Sequence, residues 1–185
     1  MSFFSGEQYV AGKLNEVDWD KWFYEPGFPP KPVFDTSLAD VCYVLAHKWE
    51  QRQKSGGTAF VPQASDIKGW FANQSVVFLE KVQGFDKPLS PEDAELLGTT
   101  YGYTTSQNVE LVARFLVIGL KAKWKGSYKL TADLLGKVGR MKFVRPLYRC
   151  LNQCDHKLAL ATFEHNKTFY HPICRGLVEK DLAKA

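Results

Sequence analysis

The chain has 185 residues, of which 45% are hydrophobic and 24% are charged, and its formal net charge is +4. This length and composition allow one hydrophobic core with a smaller appendage. No apolar run approaches the ~20 residues of a membrane span, and the first residues do not resemble a signal peptide, so we expect a soluble cytoplasmic protein with no membrane partner.

Residues 1–34 are interpreted as a lead-in that ends in a proline-rich linker. Aromatic residues are dense between Asp18 and Tyr24, and prolines are dense from Pro26 to Pro32. Because proline fixes φ and removes a backbone donor, the linker is predicted to be a stiff, semi-extended strap. The aromatic residues before it need a surface on which to pack.

Residues 35–185 are predicted to form a helical domain. Apolar residues recur there at three- and four-residue spacing, and caps and prolines mark where helices begin. The predicted helices cover about residues 35–53, 73–84, 90–97, 106–124, 127–138, 146–154, 155–169 and 172–180. No segment alternates convincingly as a strand, so we predict an all-α fold of about eight or nine helices. Antiparallel pairs of such helices stack into a curved solenoid.

The four cysteines are predicted to be reduced thiols in or near the core. Cys42, Cys150, Cys154 and Cys174 lie in apolar surroundings without the spacing of a small disulfide scaffold. Cys150 and Cys154, with His156 nearby, have the spacing that can begin a metal site. Zinc sites usually need a second ligand cluster, so we expect no metal in this chain.

Residues 139–148, Gly-Arg-Met-Lys-Phe-Val-Arg-Pro-Leu-Tyr, contain the candidate binding residues. They place cations between a glycine that can end one helix and a proline, Pro146, that can begin the next. If this connection is extended, Arg140 and Lys142 project to the same side, just ahead of a helix N-terminus that favours an anion. A carboxylate grip is one interpretation, and solvated charges at a helix junction are the other.

Positive charge is concentrated around this stretch. From Lys121 to Arg149 there are nine basic residues and one acidic residue, although the whole chain carries only +4. This predicts an anionic partner. Nucleic acid is an unlikely partner because the pI of 8.8 is moderate, even though Trp124 and Tyr128 lie among the cations as stacking groups. A further alternative is a free-standing helical scaffold that binds another protein along a concave face.

The same stretch resembles the C-terminal domain of leukotriene A4 hydrolase and its zinc aminopeptidase relatives. The resemblance is carried by Gly139-Arg140-Met141-Lys142-Phe143 with Arg145-Pro146-Leu147, by Trp22-Phe23-Tyr24, by Gly27-Phe28-Pro29-Pro30-Lys31-Pro32 with Phe34-Asp35, and by His171-Pro172 with Lys180-Asp181-Leu182. It implies a right-handed α-α superhelix of the armadillo or HEAT type. It also implies that residues 1–34 are the end of a catalytic domain and that the helical domain forms one wall of a substrate tunnel.

The resemblance implies a role for two residues in particular. In the family, the Arg and Lys of this motif bind the substrate carboxylate, either a peptide C-terminus or a lipid acid, and they correspond to Arg140 and Lys142. A guanidinium can grip a carboxylate with two donors while an ammonium adds a point charge. Arg145 and Arg149 are possible secondary contacts, although a structural role is favoured for them.

The hydrolytic chemistry of the family is missing from this sequence. Its zinc is held by an H-E-x-x-H helix, whereas His47, His156, His165 and His171 are followed by Lys, Lys, Asn and Pro. We therefore expect no catalytic residue and no metal ligand here, and no activity from this chain alone. The expected partners are the zinc-bearing N-terminal catalytic domain of a full-length peptidase or epoxide hydrolase, and its carboxylate substrate.

Overall fold

The computed structural model describes residues 6–28, 31 and 33–183. All regular secondary structure in these residues is helical, which confirms the all-α prediction. The chain divides into two compact units, Met1–Asp35 and Thr36–Ala185.

The first unit contains two short helices that the sequence analysis did not predict, α1 (Gln8–Asn15) and α2 (Trp19–Phe23). The Asp18 carboxylate caps α2 by accepting a backbone N–H of its first turn at 3.1 Å. The Trp19 indole N–H donates to the carbonyl of Leu14 at 3.0 Å, which closes the turn between the helices. Neither helix contains a buried residue, so local hydrogen bonds and caps are what define them.

The predicted proline strap is described only in part. Pro29, Pro30 and Pro32 lie outside the described residues. Pro26 and Gly27, which precede them, are not helical, and Gly27 has a φ of +115°, a conformation that favours glycine.

The second unit is built from eight α-helices among its described residues. They are α3 (Ser37–Lys54), α4 (Ala72–Gln83), α5 (Pro91–Thr100), α6 (Val109–Lys121), α7 (Gly126–Leu135), α8 (Met141–Cys154), α9 (His156–Asn166) and α10 (Pro172–Leu182). A short 3₁₀ helix, Ala64–Ile67, lies between α3 and α4. Apart from α8, the helices lie close to where the apolar periodicity predicts them.

Side-chain caps begin several of these helices, among them α5, α6 and α9. The Ser90 hydroxyl accepts a first-turn backbone N–H of α5 at 3.0 Å, and Pro91 occupies the first helical position. Asn108 and Asp155 cap α6 and α9 in the same way, each at 3.0 Å. Each cap satisfies a backbone donor that has no partner within the helix.

The helices of this unit stack in two layers. In the first layer α4 packs on α6, α6 on α8 and α8 on α10. In the second layer α7 packs on α9, and both of these helices also pack against α8 of the first layer. This is the neighbour-to-neighbour arrangement of a helical solenoid. The centre of the unit is α6, which also contacts α5 and α7 and buries six residues, as expected from its apolar sequence.

Helix α5 crosses α6 at a glycine. A Cβ at Gly98 would lie 2.2 Å from Cζ of Phe115, a side chain with no exposed surface. The ring of Phe115 in turn packs against Tyr103 and Trp124, with centroids 6.1 and 5.8 Å away. The two helices can approach this closely only because position 98 has no side chain.

Helix α8 begins earlier than predicted. It starts at Met141, so Pro146 lies inside the helix instead of in its first turn. The prolyl nitrogen has no hydrogen to donate to the carbonyl of Lys142, which costs one helical hydrogen bond. The helix continues through this position because Val144 and Leu147, on either side of the proline, are completely or almost completely buried.

Candidate carboxylate-binding site

The two predicted binding residues lie together at the N-terminus of α8. Arg140 is the N-cap residue, with an extended backbone, and Lys142 lies in the first helical turn. Their side chains are 71% and 46% exposed. The connection is thus a helix start and not an extended strand, yet both cations are directed to one point, the carboxylate of Glu110 on α6.

Glu110 is held mainly by Lys142. The Lys142 ammonium donates to Oε1 at 2.9 Å and to Oε2 at 2.8 Å, and Arg114 Nη1 donates to Oε2 at 2.6 Å. Nη1 of Arg140 lies farther away, 3.9 Å from Oε1. Hydrogen bonds from Lys142 and then from Arg114 lower the pKa of Glu110, so its carboxylate is ionised at neutral pH.

A second acidic residue fixes Arg114. Nε and Nη2 of Arg114 each lie 2.8 Å from Oε1 of Glu80 on α4, and the Arg114 side chain is only 15% exposed. Charges of alternating sign therefore run from α4 across α6 to α8. We refer to Glu80, Arg114, Glu110, Lys142 and Arg140 as the charge network.

A shallow groove of about 170 Å³ adjoins the charge network between α4, α6 and α8. Its apolar wall includes Val117, Phe143 and Leu147, and Lys142 lies at its edge. The Lys142 ammonium is 5.3 Å and the Arg140 guanidinium carbon 5.9 Å from the centroid of the Phe143 ring, within range of a cation–π interaction. The arrangement can hold a carboxylate that is attached to an apolar group.

Arg145 and Arg149 are engaged elsewhere. Nε of Arg149 lies 2.8 Å from Oδ2 of Asp181 on α10, and Nη2 of Arg145 and Arg149 lie 3.2 and 3.0 Å from its Oδ1. The Asp181 side chain is only 6% exposed. Hydrogen bonds from Arg145 and then Arg149 hold the pKa of Asp181 well below its usual range. Two donors of each guanidinium thus tie α8 to α10, and their possible secondary contact with substrate stays untested.

The two stacking groups predicted among the cations of residues 121–149 make contacts within the protein. Tyr128, predicted as a stacking group, is buried, and Trp124 packs on Phe115 with the ring centroids 5.8 Å apart. The ammonium of Lys125 lies 4.5 Å from the centroid of the Tyr128 ring. Lys121 donates to the carbonyl of Gln83 at 3.0 Å. Tyr128 is thus buried and Trp124 partly buried, and both rings are in contact with other side chains of the protein.

The cysteines contribute to packing. All four are free, and burial raises the pKa of the Cys150 and Cys154 thiols. The Cys154 thiol donates to the carbonyl of Leu120 at 3.2 Å. Within the described part of the chain, no group of three or more His, Cys, Asp or Glu side chains is placed to hold a metal ion. None of the helices described is both long and apolar enough to cross a membrane.

Sequence reasoning missed Glu110, Arg114 and Glu80. The spacing of four between Glu110 and Arg114 on a predicted helix indicates an ion pair. Nothing in the sequence, however, indicates that this pair faces Lys142, because that contact depends on how α6 stacks against α8.

Comparison with known proteins gives matches along almost the whole chain. Residues 70–182 match the family described as "Leukotriene A4 hydrolase, C-terminal". Leucine aminopeptidase 2 of Sclerotinia sclerotiorum is 56% identical over 182 residues, which are 98% of this chain and 29% of that protein. The leukotriene A-4 hydrolase homolog of Botryotinia fuckeliana is 54% identical over 182 residues, again 98% of this chain and 27% of that protein.

A solved structure agrees with these relatives. Native leukotriene A4 hydrolase from Saccharomyces cerevisiae superposes with a TM-score of 0.78 at 40% sequence identity, covering 98% of this chain and 31% of that one. The chain thus spans less than a third of the length of the proteins it matches.

Proposed function

The chain belongs to the leukotriene A4 hydrolase C-terminal family, and from that premise we propose that it supplies the carboxylate anchor of a zinc aminopeptidase or epoxide hydrolase. Arg140 and Lys142 bind the carboxylate of the substrate. The observation that carries the proposal is that the two cations lie side by side at the Glu110 carboxylate while their side chains remain 71% and 46% exposed.

The substrate class follows from the chemistry beside the cations. A planar guanidinium and an ammonium suit a carboxylate, and the groove lined by Val117 and Phe143 suits an apolar group attached to it. A peptide C-terminus and the acid end of a lipid both fit this description. The helical domain would form one wall of the tunnel that holds such a substrate.

Anchoring contributes to catalysis through position. A substrate whose carboxylate is fixed at Arg140 and Lys142 presents its other end at a constant distance, which reduces the orientational freedom lost on reaching the transition state. In this proposal zinc, which activates water for hydrolysis, belongs to the catalytic portion that makes up the remaining length of the relatives. A cytoplasmic location is part of the same proposal.

Binding can be tested on this chain directly. We would titrate it with an apolar tripeptide and, in parallel, with the C-terminal amide of that peptide, following the Arg140 Nε–H signal by NMR. We expect the acid to bind with a dissociation constant of the order of millimolar, since the two charged contacts are exposed, and the amide not to saturate. Equal binding of the acid and the amide would show that the chain does not recognise the carboxylate of the peptide.

Catalysis can be tested in a chimera in which this chain replaces the corresponding 29% of Sclerotinia leucine aminopeptidase 2. Arg140→Ala should lower kcat/KM for tripeptides by roughly tenfold or more, corresponding to one lost charge-assisted contact, without changing the thermal midpoint. The matched control is Lys129→Ala, which removes a cation that is 85% exposed and lies on α7. Similar effects of the two changes would contradict an anchor at Arg140.

One observation bears on the alternative, a protein-interaction scaffold. Leu38, Val41 and Val44 form a row along α3 and are 62%, 45% and 58% exposed. We propose that this row packs on the catalytic portion of the same longer protein. Association of the chain with a separately expressed catalytic portion, weakened by Val44→Asp, would support this. If the catalytic portion does not bind, the exposed row on α3 is left without that partner, and this result would favour the scaffold function.

A further inference from the structure

We infer that Glu110 determines which ligands the anchor accepts, by restricting it to an end group that carries a single negative charge. The inference rests on the proposed function, because it concerns the same two cations. It adds a specificity-determining residue that neither touches the apolar part of a substrate nor takes part in its chemistry.

Position is the first step of the argument. Lys142 donates to both oxygens of Glu110, at 2.9 and 2.8 Å, and a third N–H of its ammonium is left for a ligand. Because each hydrogen bond to this nitrogen is about 2.9 Å long, a ligand oxygen on the third N–H lies within about 6 Å of both Glu110 oxygens. A ligand carboxylate that bridges Lys142 and Arg140 is therefore a near neighbour of the Glu110 carboxylate.

Charge is the second step. Glu80 and Arg114 neutralise each other, and the lowered pKa of Glu110 keeps its carboxylate ionised. Arg140, Lys142 and Glu110 together leave one net positive charge. A single ligand carboxylate neutralises it, whereas a second carboxylate on the same end group, as in a C-terminal aspartate, adds an uncompensated negative charge beside Glu110.

Rigidity is the third step, since a mobile carboxylate would simply move away. Arg114 Nη1 donates both to Oε2 of Glu110 at 2.6 Å and to its backbone carbonyl at 2.8 Å. The Arg114 side chain is only 15% exposed and is held from the other side by Glu80. Glu110 is thus held by Arg114 and Lys142, and these contacts oppose its rotation away from the site when a dianion arrives.

The test compares two tripeptides that differ only in a C-terminal Asp or Asn. Both are titrated by NMR at low ionic strength against the unmodified chain, Glu110→Gln and Glu80→Gln. A like charge several ångströms away in water is expected to weaken binding roughly three- to tenfold, so the unmodified chain should bind the Asn peptide more tightly by that factor. In Glu110→Gln the ratio should fall to about one. Glu80→Gln makes the same charge change one helix farther away and should alter the ratio less.

Two results would overturn the inference. One is equal binding of the two peptides by the unmodified chain, a measurement that needs no variant to fold. The other is an equal shift of the ratio in Glu80→Gln and Glu110→Gln, which would indicate a general field. The proposed function fails separately, if Arg140→Ala and Lys142→Ala leave binding of the Asn peptide unchanged.

Discussion

Adding one methyl group at Gly98 should destabilise the second unit. A Cβ at this position would lie 2.2 Å from Cζ and 2.6 Å from Cε2 of Phe115, far inside van der Waals contact. Phe115 has no exposed surface and packs against Tyr103 and Trp124, so moving the ring disrupts those contacts. Overpacking of this kind costs about 1–3 kcal/mol, of which the better helix propensity of alanine recovers about 0.8 kcal/mol.

Gly176 on α10 provides a matched control. It is also helical, but apart from its chain neighbours and the backbone of its own helix, no atom lies within 4 Å of a Cβ built there. The same Gly→Ala change should therefore show only the propensity gain, about 0.5–1 kcal/mol.

Thermal and urea unfolding followed by circular dichroism measures both changes. For a protein of this size, 1 kcal/mol shifts the midpoint by about 2–4 °C. With the propensity gain subtracted, Gly98→Ala should then lower the midpoint by about 0.4–9 °C, and Gly176→Ala should raise it by about 1–4 °C through helix propensity. A neutral or stabilising Gly98→Ala would show that α5 and α6 separate at little cost, and would refute the close-packing argument.

Three further predictions concern the ion pairs of Arg145 and Arg149 with Asp181 on α10, and the Ser90 cap of α5. Asp181→Asn should lower the free energy of unfolding by about 2 kcal/mol, because two guanidiniums lose the charge they grip; a loss no larger than that of a surface substitution would contradict this. The folded-state pKa of Asp181 is lowered, so its contribution is complete above the unfolded pKa of about 4 and is lost as the pH falls towards the folded value. Urea midpoints between pH 5 and pH 2 should therefore fall more steeply for the unmodified chain than for Asp181→Asn, and parallel curves would exclude Asp181 as the titrating group. Ser90→Ala should cost about 1 kcal/mol through loss of the α5 cap, measured in urea, and no change would mean that water replaces the hydroxyl.

Most of the second unit was predictable because its helices carry their own signals. Ser90 with Pro91 marks the beginning of α5, and the apolar run of α6 predicts its central position. The start of α8 was not predictable from local rules, because Pro146 normally belongs near the beginning of a helix. Burial of the residues around it outweighs that preference. Helices α1 and α2 were missed because they are short and bury no residues, and so leave little periodicity in the sequence.

The candidate site likewise contains residues that the sequence predicts and residues that only the fold brings into it. Arg140 and Lys142 lie two residues apart in a recognisable motif, so they could be named in advance. Glu110 lies on another helix, and its contact with Lys142 exists only once α6 and α8 have stacked. Residues that act alone can be predicted from a motif, whereas a charge balance between helices requires the fold.

The proline inside α8 also affects how the turn that carries Lys142 is held in the fold. Without the hydrogen bond that Pro146 cannot make, the turn that holds Lys142 is joined to the rest of its helix by fewer links than an ordinary turn. Phe143 and Val144 keep that turn seated through buried contacts. Side-chain burial at Phe143 and Val144 therefore compensates for the missing backbone link and holds Arg140 and Lys142 in place at the start of α8.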